Sequence, residues 1–514
     1  TRNFGMPLNP EGVDYEGLFP GRTRRVREAS ALDEGWTRQG KLKSFNKPQF
    51  TPPTDHATTA INPNLIAQNE SWIRRRTHSL SFVLLFIFSV ILYLRPYEFF
   101  PGLSSFTSMA FYTGIVMLGV FAFTQLSTEG NLTARPREIN LVLLLGLAAL
   151  LSMPLAVSPA ESWKTFSELL IKTIIVFVVF VNVVRTESRL KLLLLLVLAV
   201  SIYLSVNAIN DYRQGVFQVG ALETHDARIA GRIKGLFENS NDLALHLVTM
   251  IPIAVGLGLS KAGLFRKLVF FGATAIMTGA VIVTFSRGGF IGLVAAVLLL
   301  VRRLGRKNKS LTTATFVFAV IMFLAMAPGA FSGRLSTIFN SSADLTGSSS
   351  QRTEVLKRSF WVTLRYPLFG VGIGCFPFKS PRNLVTHNAY TQVSSEMGIA
   401  AMVVYILFLV HPLKRLRLIE NESYEHSDRS SFYYLSVGLQ ASLVGYMVSS
   451  FFGAVAYQWY VYYLVGYAVC LHRLYILKFP PQDVSAQELW EHPFAKKKKE
   501  LFGGQPAAQQ KAVV

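Results

Sequence analysis

Residues 190–209 read LKLLLLLVLAVSIYLSVNAI, twenty residues with one charge, Lys191. A helix rises about 1.5 Å per residue, so this stretch alone spans the roughly 30 Å of hydrocarbon in a bilayer. Working outward, eleven further apolar stretches lie near 79–94, 104–126, 139–157, 166–184, 242–260, 267–285, 288–301, 311–327, 391–411, 432–450 and 454–472. The last two are parted only by a tight turn around Gly453. The 514-residue chain is 51% hydrophobic and 16% charged, whereas a soluble domain carries about 25% charged residues. A soluble globular enzyme is thereby excluded. So is a disordered chain, which needs low hydrophobicity. The pattern predicts an all-α integral membrane protein of about twelve transmembrane helices.

Residues 1–78 are polar and proline-dotted, with no apolar core ahead of a cleavage site, so they are not a signal peptide. They read as a mostly flexible cytoplasmic tail, ending in a short interfacial helix from Leu65 to Ile73 before Arg74, Arg75 and Arg76. Residues 79–475 form the twelve-span membrane domain, and 476–514 a basic cytoplasmic tail containing Lys496 to Lys499. The net charge of +21 would suggest nucleic acid in a soluble protein. Here most Lys and Arg fall between spans on one side, as with Arg302, Arg303, Arg306, Lys307 and Lys309, or Lys414, Arg415 and Arg417. The positive-inside rule then puts both termini in the cytoplasm. The basic tails need only the anionic lipid of the bilayer, so no nucleic-acid partner is expected. Cys375 and Cys470 fall on opposite faces and offer no cysteine-rich metal site.

Two outer segments are long, 210–241 and 328–390, the latter between spans nine and ten. Long loops in an economical bundle usually carry function. Both are rich in arginine on the side where topology disfavours it. In the larger loop, Val355, Leu356, Ser359, Phe360 and Leu364 recur at helical spacing beside Arg352, Lys357, Arg358 and Arg365, which predicts an amphipathic helix on the outer leaflet. A glycine-punctuated turn follows, Tyr366 to Gly374, without the spacing of a dinucleotide loop. His387 then stands at the mouth of the tenth span. Imidazole titrates near neutrality and suits general-base work on a sugar hydroxyl; an interfacial hydrogen-bonding role is the plainer alternative. Glu396 lies nine residues on, about two and a half turns deeper. An acid in a span is costly, hence paired or functional.

Arg287 ends the seventh span in Thr284-Phe285-Ser286-Arg287-Gly288-Gly289. A cation there calls for an anion, and the guanidinium fork matches phosphate oxygens, either of a substrate or of a lipid headgroup. The 210–241 loop supplies Arg228, Arg232 and Lys234, with Arg232 the candidate for phosphate contact. Asn239, Asn241 and Asp242 read as the start of the sixth span, with an asparagine or serine cap. His225 and His387 are far apart and the outer carboxylates are scattered, so neither a metal nor another cofactor is expected. Arginines can stabilise a leaving diphosphate without one.

Taken in order, Gly235-Leu236-Phe237 with Asn239 and Asn241, Phe285-Ser286-Arg287-Gly288, Arg352, Pro367-Leu368-Phe369-Gly370-Val371-Gly372, His387-Asn388-Ala389-Tyr390 and Glu396-Met397-Gly398-Ile399 resemble the O-antigen ligase/polymerase family. The resemblance covers roughly residues 80 to 475. It implies a GT-C-like membrane glycosyltransferase of the bacterial inner membrane that takes a glycan from undecaprenyl diphosphate at the periplasmic face, without metal and with inversion. It further implies that Arg287 and Arg352 bind the diphosphate, with Arg232 a weaker match. His387 is the implied general base, and Asn388 and Glu396 orient the site. The acceptor is lipid A–core or a protein for a ligase, and a second lipid-linked glycan for a polymerase. The motifs leave both open, with the single His-Asn-Ala-Tyr loop leaning toward ligase. A transporter is the third reading. It would place polar residues at the bilayer midplane in repeated halves, and no internal repeat is seen.

Overall fold

The long apolar runs fold as helices because a backbone in hydrocarbon must satisfy its own hydrogen bonds. The computed structural model describes residues 78–99, 108–129, 132–216, 239–260, 263–306 and 348–479, with 218–219, 227–229, 237, 310, 313 and 317 between them. Thirteen helices organise this region: α1 Ser79–Leu94, α2 Met109–Glu129, α3 Arg137–Ser152, α4 Pro159–Val183, α5 Glu187–Arg213, α6 Ser240–Leu259, α7 Leu264–Val283, α8 Arg287–Leu304, α9 Ser348–Arg365, α10 Ala389–Met397, α11 Ile399–Ser423, α12 Ser430–Ser449 and α13 Trp459–Lys478. A π-helical stretch, Phe166–Leu170, interrupts α4. The β structure among the described residues is one two-residue pairing, Gln218–Val219 against Ala227–Arg228.

Eight of these helices are long and apolar enough to cross a membrane: α2, α4, α5, α6, α7, α11, α12 and α13. The protein is therefore a multi-pass membrane protein. Of the other expected spans, α1 and α3 have 16 residues each, and α8 carries Arg287, Arg302 and Arg303 in 18 residues. The ninth, near 311–327, lies almost wholly outside the described residues, as do both tails, the 65–73 segment and the loop before Ser348, together with half of the 210–241 loop.

Helices α6 and α13 sit at the centre, each 89% buried, whereas only 17% of the α2 span is buried. Apolar burial does not distinguish a helix neighbour from lipid, so the centre is held by close packing of small residues. A Cβ on Gly256 of α6 would lie 2.6 Å from the Tyr434 carbonyl oxygen, and one on Gly438 of α12 would lie 2.6 Å from that of Pro252. The two backbones pack nearly in contact.

The two ends of the bundle differ in chemistry. At one end, buried Glu138 receives His411 at 2.9 Å and Arg415 at 3.2 Å. Glu420 meets Arg303 at 3.3 Å, and Glu187 pairs with Lys478 at 2.7 Å. The other end gathers the starts of α6, α8, α10 and α13 and the finishes of α7 and α12. Cys375 and Cys470 are both buried and free.

Candidate functional site

At that second end, the starts of α6 and α8 are tied together. Asn239 caps α6, its side chain accepting the Asn241 N–H at 2.9 Å, which bears out the capping role expected there. Ser286 caps α8, its Oγ accepting the Gly289 N–H at 3.2 Å and donating to Asn241 Oδ1 at 2.8 Å. Phe285, just before the cap, takes the left-handed φ of 53° that the sharp turn out of α7 requires. Arg287 is thereby set at the first position of α8. A cation at the positive end of a helix dipole is unfavourable on its own. The same position suits an anion, which meets both the guanidinium and the helix-start N–H groups.

Across the end of α12, a 3₁₀ turn of Ser450–Phe452 joins this corner to α10. A Cβ on Gly288 would lie 2.5 Å from Phe452 Cβ, so the turn packs directly on the start of α8. On its other side the Phe451 ring lies 4.5 Å from that of Tyr390, whose hydroxyl donates to the Met447 carbonyl at 2.8 Å. Tyr390 is in the first turn of α10, which Asn388 caps by accepting the Tyr390 and Thr391 N–H groups at 2.9 and 3.0 Å. His387 immediately precedes that cap and has φ 51°, a left-handed conformation costly for a residue with a Cβ.

The His387 ring makes no hydrogen bond to any described residue. Burial, and then the nearby charge of Arg352 on α9, push its pKa down from 6.5 to about 4. At neutral pH the imidazole is therefore uncharged and presents a free lone pair. Helix α9, which carries Arg352, docks on α10 through Thr363, whose Oγ1 lies 2.8 Å from Ser394 Oγ. Its middle is tied down by Arg358 Nε, which donates to the Lys379 carbonyl at 2.7 Å.

The tenth span departs from the expected continuous helix over 391–411. It breaks at Gly398, φ 90° and ψ 171°, into α10 and the spanning α11. The glycine turn of 366–374 makes the break tolerable by meeting the groups it orphans. Val371 and Gly372 donate to the carbonyls of Ser395 and Glu396 at 2.9 and 3.0 Å, and Ile399 donates to Pro367 O at 2.8 Å. Gly370, φ 66°, lies so close that a Cβ would collide with the Glu396 backbone. Glu396 itself is nearly fully buried. Its Oε2 accepts the Gly374 N–H at 3.0 Å and the Tyr457 hydroxyl at 2.9 Å.

Thus Arg352, His387 and Asn388 come together, and Arg287 joins the same rim through the 450–452 turn. Glu396 stands at the far end of α10, about 13 Å of helix from His387, and secures the glycine turn rather than touching the imidazole. Arg232 lies outside the described residues. The amphipathic helix is present as α9, but adjacent apolar residues split between faces. Val355 and Ser359 are buried while Leu356, Phe360, Trp361 and Leu364 are exposed. Sequence reasoning missed Tyr457 and Gln392, whose Oε1 accepts the Ala456 N–H at 3.2 Å. A tyrosine between two spans was the available signal, but no spacing links it to Glu396. Among the described residues no three His, Cys, Asp or Glu side chains gather closely enough to hold a metal ion.

Residues 272–406, which run from α7 into α11, match the O-antigen ligase family. The stretch contains Arg287, Arg352, His387, Asn388 and Glu396, and it bears out the resemblance to the O-antigen ligase/polymerase family. Arg232 falls outside it. No curated protein matches the chain.

Proposed function

We propose that the protein is a membrane glycosyltransferase that moves a glycan from undecaprenyl diphosphate to an acceptor hydroxyl at the periplasmic face of the inner membrane. The observation that carries this reading is His387, an uncharged imidazole without a hydrogen-bond partner among the described residues, set beside Arg352 on the rim that also holds Arg287. A free base next to cationic groups is what transfer from a diphosphate needs.

In this mechanism the polyprenyl chain stays in the bilayer while Arg287 and Arg352, with Arg232 as a third contact, hold the diphosphate. His387 takes the proton of the acceptor hydroxyl. The oxygen attacks the anomeric carbon from the face opposite the diphosphate, and the bond to the leaving oxygen breaks with its electron pair. Configuration is inverted, and the arginines offset the charge that grows on the leaving group. Asn388 orients the base by capping the helix that follows it. Glu396 acts at one remove, by holding the glycine turn.

The test is transfer by the purified protein in nanodiscs with undecaprenyl-diphosphate-linked glycan and EDTA, with and without a separate acceptor. Product only on the added acceptor, lipid A–core or protein, establishes the ligase. A ladder of longer lipid-linked chains establishes the polymerase instead. Glycolipid crossing the bilayer without any new glycosidic product overturns both in favour of a transporter.

A further inference from the structure

At the end of the bundle opposite this rim, a cavity of about 360 Å³ opens between the starts of α1 and α5. Ser79, Phe82, Val83, Thr186, Ser188, Arg189 and Leu192 line it. Arg189 is held over the Phe82 ring, 5.2 Å from guanidinium carbon to centroid. It donates to the Val183 carbonyl at 3.1 Å and to Ser79 Oγ at 3.0 Å, which fixes the fork but leaves three of its five N–H groups without an acceptor among the described residues. No described carboxylate pairs with it, because nearby Glu187 is engaged by Lys191 and Lys478. A second guanidinium, that of buried Arg185, lies close enough to repel it. The first turn of α5 adds its unpaired N–H groups, with Thr186 as the cap. A fixed guanidinium, a like charge behind it and hydroxyls beside it call for an anion with several acceptor oxygens, which is a phosphate.

The cavity walls say where that phosphate comes from. Val83 is 49% and Leu192 44% exposed, and they continue into exposed Leu80, Ile87 and Leu195 along α1 and α5. These form two apolar tracks that run from the cation into the hydrocarbon. We propose that this cavity binds the phosphate headgroup of an anionic phospholipid in the leaflet opposite the candidate transfer site, with acyl chains lying along the two tracks. The site is independent of the glycosyltransferase reading.

The test uses the purified full-length chain and native mass spectrometry, with phosphatidylglycerol or phosphatidylcholine as the added lipid. The wild type is expected to retain one more phosphatidylglycerol than phosphatidylcholine. Arg189→Gln should weaken that retention about tenfold. Leu192→Trp keeps the cation and fills the cavity, so it decides the matter should Arg189→Gln fail to fold, and it is expected to weaken retention as well. Equal retention of the two lipids by the wild type overturns the proposal, as does unchanged retention in Leu192→Trp. Displacement of the lipid by inorganic phosphate at equal concentration also overturns it, by showing a site for free anions.

Discussion

His387 and Arg352 stand close enough that the arginine charge adds to burial in holding the imidazole unprotonated, with a pKa of about 4 in place of 6.5. A lowered value for a histidine means the neutral form persists as pH falls, and the proton is taken up only near pH 4. In the proposed reaction the acid limb of kcat/KM, which reports the free enzyme, therefore falls near pH 4 rather than near 6.5. Arg352→Gln removes the repelling charge and moves the limb upward. Bound diphosphate favours the imidazolium, so the limb of kcat lies higher than that of kcat/KM. A pH–rate series on both proteins checks this, and a wild-type kcat/KM limb near 6.5 would sink it.

Removing the base should cost more than removing one anion contact is expected to. His387→Ala is expected to lower kcat by about 10²–10⁴. Arg287→Ala and Arg352→Ala are each expected to cost about 10²–10³. Unchanged helicity and elution volume would show that the fold survives. A variant that keeps full activity removes its residue from the mechanism.

The Glu396–Tyr457 hydrogen bond is a test of support without contact. Tyr457→Phe leaves a buried carboxylate one donor short, at a cost of about 1–3 kcal/mol. Glu396→Gln costs a similar amount. The double variant is expected to fall short of the sum, because both remove one interaction. Thermal unfolding in detergent reads the cycle, and strict additivity would show that the two side chains act separately.

Gly370→Ala should be more harmful than an ordinary surface change. Its φ of 66° is strained for alanine, and the added methyl would meet the Glu396 backbone. Loss of folded protein in the membrane fraction is the expected result. Gly119→Ala is the control, because nothing lies within 4 Å of a Cβ there.

What the sequence made legible is the one-dimensional part of the structure. A stretch of twenty mostly apolar residues must be helical in a bilayer, and Asn239 had to cap something, so α5 and the start of α6 lie where expected. The break at Gly398 was hidden because the apolar run continues through it. The cause lies some thirty residues upstream, in the donors of Val371 and Gly372. The α9 stripe divides between two faces for a geometric reason. Val355 and Leu356 are about 100° apart on a helix, so Val355 packs with Val371, Cys375 and Phe376 while Leu356 faces out. Of the site, Arg287 and Arg352 were visible as misplaced charge, and His387 as a titratable side chain at the mouth of a span. Tyr457 and Gln392 were not, since they matter only through pairings across more than sixty residues.

The interruption at Gly398 also works as a mechanical insulator. A spanning helix tilts to match the thickness of its bilayer, and an unbroken tenth span would swing the end that carries His387 through the same angle. Here α10 is moored to its neighbours through Tyr390, Gln392 and Glu396, while α11 begins afresh beyond a glycine pivot. A tilt of α11 is then expected to be taken up at that break. The transfer rate is accordingly expected to change little between nanodiscs of short and long acyl chains, and replacing Gly398 with alanine should make it thickness-dependent in any protein that still folds.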